Sequence, residues 1–397
     1  MRVAFVVQRY GTDVVGGAEH LCRMVAEHMG SRWEIDVVTT CARSYITWEN
    51  EYEPGVASLN GVTVRRFPVD QPRDTRVQAE LQPRIQPSNS HTRDDEMRWM
   101  RAQGPYSTPL LRYLRERRLE YDGFFFFTYL YCTTCLGLPL VADRAILVPT
   151  AHDEDWLDLK IIKELFSQPQ GFVFLTPEEQ ALVHTRFGNE AIPSVITGIG
   201  MEEPRDADPE RFRRRHGIRG RFVLYLGRVD QFKGCPEMFD FFIKSRSTRS
   251  SEVTLVLIGP VAVGVPAHPN IVVLGALGEQ DKHDALASAE ALIQPSLYES
   301  LSIVLLEAWL AGTPVLVNGR CAVLKGQCRR AQGGLWYDTE YEFDEALSLL
   351  LSDGDLRQRL AANGKRYVEA NYSWERIGQL YREIAARTLP HTAGVTK

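Results

Sequence analysis

The sequence predicts an α/β protein built from two doubly wound, Rossmann-like domains. Three observations carry that expectation. Strand-like apolar runs alternate with amphipathic helical stretches almost throughout, the pattern of parallel sheets covered by helices on both faces. The alternation restarts midway, after a Gly-, Pro- and acid-rich stretch at 198–208 that shows no periodicity. The length is 397 residues. At roughly 100–200 residues per domain, that calls for two domains or three.

In chain order, the first half offers strands over 3–7, 35–39, 62–67, 124–127, 145–148, 171–175 and 194–196. Each is a short run rich in apolar residues. Between the first two, Ala18, Leu21, Cys22, Val25, Ala26 and Met29 recur at helical spacing, so 18–29 reads as a helix with one buried face. In the second half a strand over 222–226 leads to a helix over 236–245, with Pro236 in its first turn, where an N–H has no partner to lose. Strands over 254–258, 271–274, 291–294 and 314–317 follow, with helices between them. The chain closes with a helix over 355–370, a break at Asn371 and Tyr372, and Ser373 as N-cap of a helix over 374–387. The last ten or so residues read as a frayed tail. The expected domains are therefore 1–197 and 198–372, with 373–397 as a terminal helix and tail. Two such sheets would form a cleft between the carboxyl ends of their strands, where ligands of open α/β folds bind.

Hydrophobic residues make up 44% and charged residues 24%, both ordinary for a folded chain. The net charge of −5 excludes a globally basic nucleic-acid binder, and no nucleic-acid partner is expected. The 46 basic residues divide into 38 Arg and 8 Lys, with none of the Lys before Lys160. A well-placed Lys is correspondingly informative. Seven scattered Cys read as reduced thiols in a cytoplasmic protein. Cys132 and Cys135 form a C-x-x-C without a second pair, inside an apolar run, and read as buried structural thiols. Five apolar residues at 3–7 are too few for a signal-peptide core. The uncharged stretch 123–142 is long enough to span a bilayer. Its threonines, Gly137 and Pro139 argue instead for a buried strand running into a helix.

Four local patterns could carry chemistry. In 295–307 a strand ends, a loop follows, and a helix begins near Ser302. Glu299 lies in the loop and Glu307 more than one turn inside the helix. Unpartnered N–H groups at a helix start suit anionic or hydroxyl-rich ligands, and carboxylates accept from paired sugar hydroxyls. Two solvated surface glutamates would look the same. In 227–234, Gly-Arg-Val-Asp-Gln-Phe-Lys-Gly sets Arg228 and Lys233 between a strand and a helix. Two cations there could hold a diphosphate, although an ordinary solvated loop also fits. The Walker order is missing. Gly16 and Gly17 open the first long helix and could face a phosphate, or simply form a tight loop. The dinucleotide fingerprint is absent after 3–7. His152 follows the strand at 145–148, where it could donate to a sugar hydroxyl or serve structurally. Asp153-Glu154-Asp155 spells a short metal–diphosphate motif, but with two cations already in place no metal is expected.

Together these pieces resemble the retaining glycosyltransferases of family 4, glycosyl transferases group 1, with the GT-B fold. The resemblance runs over nearly the whole chain. It rests on Gly16-Gly17-Ala18-Glu19, His152-Asp153, Gly227-Arg228 with Lys233-Gly234, Glu299 with Glu307, Ala311-Gly312-Thr313-Pro314-Val315 and Gly333-Gly334-Leu335. It implies two Rossmann-like domains facing a central cleft, with the C-terminal helix crossing back to the N-terminal domain. It implies an acceptor-binding first domain and a donor-binding second one. Arg228 and Lys233 would hold the donor diphosphate, and Glu307 the ribose. Glu299 and the amides of Leu301, Ser302 and Ile303 would hold the donor sugar. His152 would touch that sugar near the reaction centre. Gly16 and Gly17 would let the acceptor domain close on the diphosphate, and Leu277 would flank the base. The implied activity is metal-independent, retaining transfer of a hexose-type sugar from a UDP- or GDP-linked donor, in surface polysaccharide or glycolipid biosynthesis, with no cofactor. Two departures bear on the donor: Ser300-Leu301-Ser302 replaces the family's frequent Gly-Phe-Gly, and 318–325 is not the usual small-residue loop.

The acceptor implied is a glycan or a lipid-linked molecule. The least family-like stretch, 62–118, holds twelve Arg against seven acids. It reads as a solvated insertion, or as a peripheral dock for an anionic membrane surface or a lipid-linked pyrophosphate acceptor. Two alternatives to a transferase stay open: a GT-B nucleotide-sugar epimerase and a non-catalytic sugar-nucleotide-binding protein.

Overall fold

The computed structural model describes residues 1–86, 90–204, 206–248 and 253–390. The chain divides into two compact units, Met1–Gly200 with Trp374–Lys397, and Met201–Ser373.

The first unit contains β1 (Arg2–Val6), α1 (Gly17–Met29), β2 (Glu34–Thr40), β3 (Gly55–Leu59), β4 (Val62–Phe67), α2 (Thr75–Leu81), α3 (Arg93–Gln103), α4 (Thr108–Glu116), β5 (Gly123–Phe127), α5 (Cys132–Cys135), β6 (Ala145–Val148), α6 (Lys160–Leu165), β7 (Gly171–Phe174), α7 (Pro177–Phe187) and β8 (Ser194–Ile196). The second holds α8 (Pro209–His216), β9 (Arg221–Leu226), α9 (Cys235–Thr248), β10 (Val253–Ile258), β11 (Ile271–Gly275), α10 (Glu279–Ser288), β12 (Leu292–Gln294), α11 (Ile303–Leu310), β13 (Val315–Asn318), α12 (Ala322–Ala331), β14 (Gly334–Tyr337), α13 (Glu340–Ser352) and α14 (Gly354–Asn371). The last helix, α15 (Trp374–Thr388), packs on β7 and β8 in the first unit. Residues 391–397 of the expected tail lie outside the described residues.

The first sheet has eight strands in the order β3-β4-β2-β1-β5-β6-β7-β8. All pair in parallel except β3, which runs antiparallel to β4 at the edge. The central strand β5 is covered on both faces, so its four phenylalanines need no polar alternation. Phe124 and Phe126 join the cluster of Trp99, Leu110, Leu114 and Phe166. Phe125 meets Phe5, Trp33 and Tyr381 on the opposite face. The second sheet has six parallel strands, β11-β10-β9-β12-β13-β14. One of its faces buries Val223, Tyr225, Leu255 and Ile293 with Phe239, Phe242 and Phe343.

Each strand order reverses direction once. In the first sheet the chain lays β2 and β4 to one side of β1, then β5 to the other. In the second it lays β10 and β11 to one side of β9, then β12 to the other. The carboxyl ends of the flanking strands at such a reversal are where open α/β sheets hold ligands.

Three elements differ from expectation. The exposed edge strand β3 and the short strand β14 were not foreseen. The run after β5 does not continue into a long helix. Thr128 takes a left-handed φ of 62° there, and the chain passes through the four-residue α5 and a 3-10 segment, Leu138–Arg144. The stretch 123–142 is thus a buried strand and turns, and among the described residues no helix is long and apolar enough to cross a membrane. Cys132 and Cys135 are buried, and burial pushes the Cys135 thiol up to about 12.

Candidate active site

In the second unit Arg228, Lys233 and Glu299 lie in the loops at the reversal between β9 and β12, whereas Leu277 follows the edge strand β11. The loop after β9 carries Arg228 and Lys233; the loop after β12 carries Glu299. The Lys233 ammonium lies 2.7 Å from the Glu299 carboxylate. Two glycines make the approach of these loops and their neighbours geometrically feasible. A Cβ on Gly234, whose φ is +73°, would lie 2.5 Å from the Pro295 carbonyl oxygen. A Cβ on Gly259, with φ +141°, would lie 1.9 Å from the Gly227 carbonyl oxygen. Both are positions where only glycine fits without a shift of backbone.

Several side chains that sequence alone did not single out fix this geometry. Asp230 is buried, accepts the Lys233 backbone N–H at 2.7 Å and pairs with the Arg228 guanidinium. It thereby orients both cations. The Tyr225 hydroxyl donates to the Arg228 carbonyl at 2.7 Å. At the last position of β12, the Gln294 amide donates to the Ser302 hydroxyl at 3.2 Å and reaches Glu299 at 3.5 Å. Asn318, at the last position of β13, donates to the Pro295 carbonyl at 3.0 Å. Buried amides and acids ending apolar strands were the available signal. Such groups must find partners, and here the partners are the site loops.

Ser302 is the N-cap of α11, and its side chain makes no capping bond. The first turn, beginning with Ile303, takes no capping bond from Ser302, although the Leu305 N–H reaches the Ser302 carbonyl at 3.2 Å. Leu301 is buried beneath this turn. Glu307 is half-buried one turn on. Burial pushes its carboxyl up to about 7, with Lys282 on α10 opposing and Glu279 adding to the rise. Leu277 is half-buried just before α10.

In the first unit, Gly16 caps α1 and Gly17 is its first residue. A Cβ on Gly16 would lie 2.1 Å from a Glu19 carboxylate oxygen, whereas one on Gly17 would meet nothing. Glu19 forms a buried ion pair with Arg9, whose guanidinium also donates to the Val15 and Arg43 carbonyls. That pair holds the loop ahead of α1 in place. His152 follows β6, with its Nδ1 3.2 Å from Glu154, and the Tyr129 hydroxyl donates to the same carboxylate at 2.6 Å. The preceding turn is unusual, since Thr150 takes a left-handed φ of 50°. Strain of this kind in a β-branched residue persists only where the surroundings impose it. Here buried Glu179 on α7 imposes it. It accepts the Ala151 and Leu175 N–H groups, each at 2.7 Å, and so ties the loops after β6 and β7 together.

The acids after His152 diverge, with Asp153 on Arg186 at 2.5 Å and Glu154 on Tyr129. Among the described residues no three His, Cys, Asp or Glu side chains are grouped to hold a metal ion. Of the twelve arginines of 62–118, five pair with carboxylates: Arg65 with Asp36, Arg84 with Asp95, Arg93 with Glu164, Arg117 with Glu120 and Arg118 with Asp143. These pairs fit the solvated insertion, and nothing among the described residues supports the alternative of a membrane dock. Residues 87–89 of the segment lie outside the described residues.

Comparison with known proteins bears on both fold and domain. Residues 208–367 match the family described as glycosyl transferases group 1. A Xenopus tropicalis protein, "Glycosyltransferase 1 domain-containing protein 1", is 26% identical over 205 residues, covering 47% of this chain and 58% of that protein. The alpha-D-kanosaminyltransferase of Streptomyces kanamyceticus is 28% identical over 217 residues, covering 47% and 53%. The chain thus spans about half the length of the curated relatives it matches. The Anabaena protein HepE, solved with UDP and glucose, superposes with a TM-score of 0.70 at 14% identity, covering 97% of this chain and 99% of that one. The fold is GT-B, with two α/β units on mainly parallel sheets.

Proposed function

From the group 1 glycosyltransferase domain at 208–367 we propose that the protein transfers a hexose-type sugar from a nucleotide-diphosphate sugar to a hydroxyl of a glycan or lipid-linked acceptor. The transfer proceeds with retention and without a metal ion. The observation that carries this reading is the Lys233–Glu299 pair at the β9–β12 reversal, beside the uncapped start of α11.

In the unliganded site the two charges neutralise each other. A donor gives each a better match: diphosphate oxygens for the Lys233 ammonium and sugar hydroxyls for the Glu299 carboxylate. Arg228, steadied by Asp230, is the second cation for the diphosphate. Amides of Leu301, Ser302 and Ile303 serve the sugar, Glu307 accepts from the ribose hydroxyls, and Leu277 flanks the base. HepE, of the same fold, was solved with UDP and glucose, which supports a donor of this class.

The bond from the sugar's anomeric carbon to the diphosphate oxygen breaks as the acceptor oxygen bonds to that carbon on the same face. The acceptor's proton passes to the departing diphosphate, so no separate base is required. Lys233 and Arg228 stabilise the charge that develops on the diphosphate, the kind of preorganised electrostatic contribution that dominates many enzymes. His152 contributes a hydrogen bond to the donor sugar, and Gly16 and Gly17 leave the start of α1 open to the diphosphate.

The test is turnover of UDP-glucose, UDP-N-acetylglucosamine and GDP-mannose against acceptor extracts, with the product's anomeric configuration read by NMR. An α-linked product from an α-linked donor supports the reading. An inverted product contradicts it. Equally fast donor consumption without acceptor favours the epimerase, and saturable binding with no turnover favours a binding protein.

A further inference from the structure

Among the charged groups of the first unit, Arg73 stands out for what it lacks. It follows β4 and immediately precedes α2, and it is half-buried. Its Nε donates to the Gln103 carbonyl at 3.2 Å and its backbone N–H to the Thr47 carbonyl at 2.7 Å. Its guanidinium lies over the Trp48 ring, 5.0 Å from the centroid. Among the described residues no carboxylate pairs with it, and its two terminal nitrogens reach no acceptor. Nearby Arg9 has the buried Glu19 carboxylate, so the local excess of charge belongs to Arg73. Burial pushes the Arg73 pKa below its ordinary value, and Arg9 adds to the push. Arginine does not shed its proton in response, so a half-buried charge without a carboxylate remains, its terminal nitrogens open to solvent or to an anion.

The surroundings are built rather than incidental. Trp48 is fully buried between the two cations, with the Arg9 guanidinium 5.9 Å from its ring. Its indole N–H donates to the same Gln103 carbonyl at 2.7 Å, and Tyr131 meets it edge-on at 5.4 Å. Tyr45 lies 5.4 Å from the Arg9 guanidinium. Trp48 holds a left-handed φ of 57°, a conformation a tryptophan adopts only under constraint. Arg9, Tyr45 with Trp48, Arg73 and Tyr131 come from the loops after β1, β2, β4 and β5. Those four strands are parallel neighbours, and β1 and β5 flank the reversal of the first sheet. The cup therefore lies where an open α/β sheet holds its ligand.

We propose that this cup is the acceptor subsite and that the acceptor carries an anionic group, a phosphate or a carboxylate, taken by Arg73 over the Trp48 ring. The inference rests on the transferase reading, because it assigns the chemistry of the second substrate. A guanidinium fork matches either anion in a bidentate geometry, and the missing counter-charge is what such a ligand supplies.

The test is calorimetric titration of the full chain at saturating UDP or GDP, which occupies Arg228 and Lys233. The probes are glucose 6-phosphate, glucuronate, dihexanoyl phosphatidylglycerol below its micellar concentration, and neutral glucose. At least one anion is expected to bind about 10- to 100-fold more tightly than glucose, as charge-assisted hydrogen bonds allow. Which one binds separates phosphate from carboxylate and lipid from soluble sugar. Arg73→Met removes a charge that no carboxylate compensates, so it is expected to fold and to lose the preference. Arg73→Lys keeps the charge without the fork and is expected to retain a reduced preference, which serves as the readout should the Met variant fail to fold. No preference for any anion over glucose overturns the proposal, as does a preference unchanged in either variant. A chain that binds neither UDP nor GDP contradicts the transferase reading and takes this inference with it. Nucleotide binding without anion preference contradicts this inference alone.

Discussion

At the scale of single residues, Lys233 and Glu299 hold each other at 2.7 Å, and under the proposed function a donor would take the place of each as the other's partner. Loss of one preorganised electrostatic group typically lowers turnover by roughly 10²–10³. Lys233→Ala and Glu299→Ala are expected to fall in that range, measured as kcat with circular dichroism confirming the fold. Near-full activity in either folded variant contradicts the assignment. Glu307 adds a pH dependence. Its folded carboxyl sits near 7, above the ordinary 4.5, so it keeps a proton that the unfolded chain releases. Its contribution to stability therefore falls as pH rises from about 4.5 to about 7. Under the proposed ribose role of Glu307, donor binding runs the other way, since only the carboxylate can accept from two ribose hydroxyls. Donor affinity is expected to rise between pH 6 and 8 and level off above, and Glu307→Gln to flatten the rise. An identical profile in that variant assigns the titration elsewhere. Lys233 was legible because lysines are scarce and its spacing from Arg228 is distinctive. Arg73 was not, because its meaning lies in the absence of a partner, which only the packing reveals.

At the scale of elements, the helix starts and strand ends do the positioning. Glu179 sits in the first turn of α7, where an acid at a helix start is unremarkable in sequence. Folding buries it and gives it two loop amides to hold. Glu179→Ala orphans both, at about 1–3 kcal/mol each. The expected result is a lower denaturation midpoint together with a loss of activity through the His152 turn. Glu179→Gln, which keeps one acceptor oxygen, is expected to lie between; a wild-type midpoint in the alanine variant removes Glu179 from this role. Strands buried on both faces, such as β5 and β10, were legible as short apolar runs. The strand β3 was hidden by its exposure, since only one neighbour supports it. β14 was hidden because it spans four residues and its Trp336 is partly exposed. The helix expected after β5 is only four residues long, set off from the strand by the Thr128 turn.

At the scale of the whole molecule, two sheets each reverse strand order once, and Arg228, Lys233 and Glu299 lie in the loops at the second of those reversals. The first unit is completed by a helix from the far end of the chain. Trp374 stacks on His28 at 3.7 Å, Tyr381 meets Phe125, and a Cβ on Gly123 would lie 2.3 Å from Leu389. A chain ending at Ser373 is expected to lose the calorimetric transition of the first unit while that of the second, with its own core, remains. Intact melting of both units in that shortened chain contradicts the packing role of α15. The two-domain organisation was legible because the alternation restarts after 198–208. The central claim is that the second unit holds a nucleotide diphosphate on Lys233. Its most direct test is the melting temperature of the full chain with UDP and with GDP. Ligand at about 100 times its Kd stabilises the folded state by about 2.7 kcal/mol. The expected result is a rise with at least one of the two that Lys233→Ala largely abolishes. No rise with either, or an equal rise in the variant, contradicts the claim.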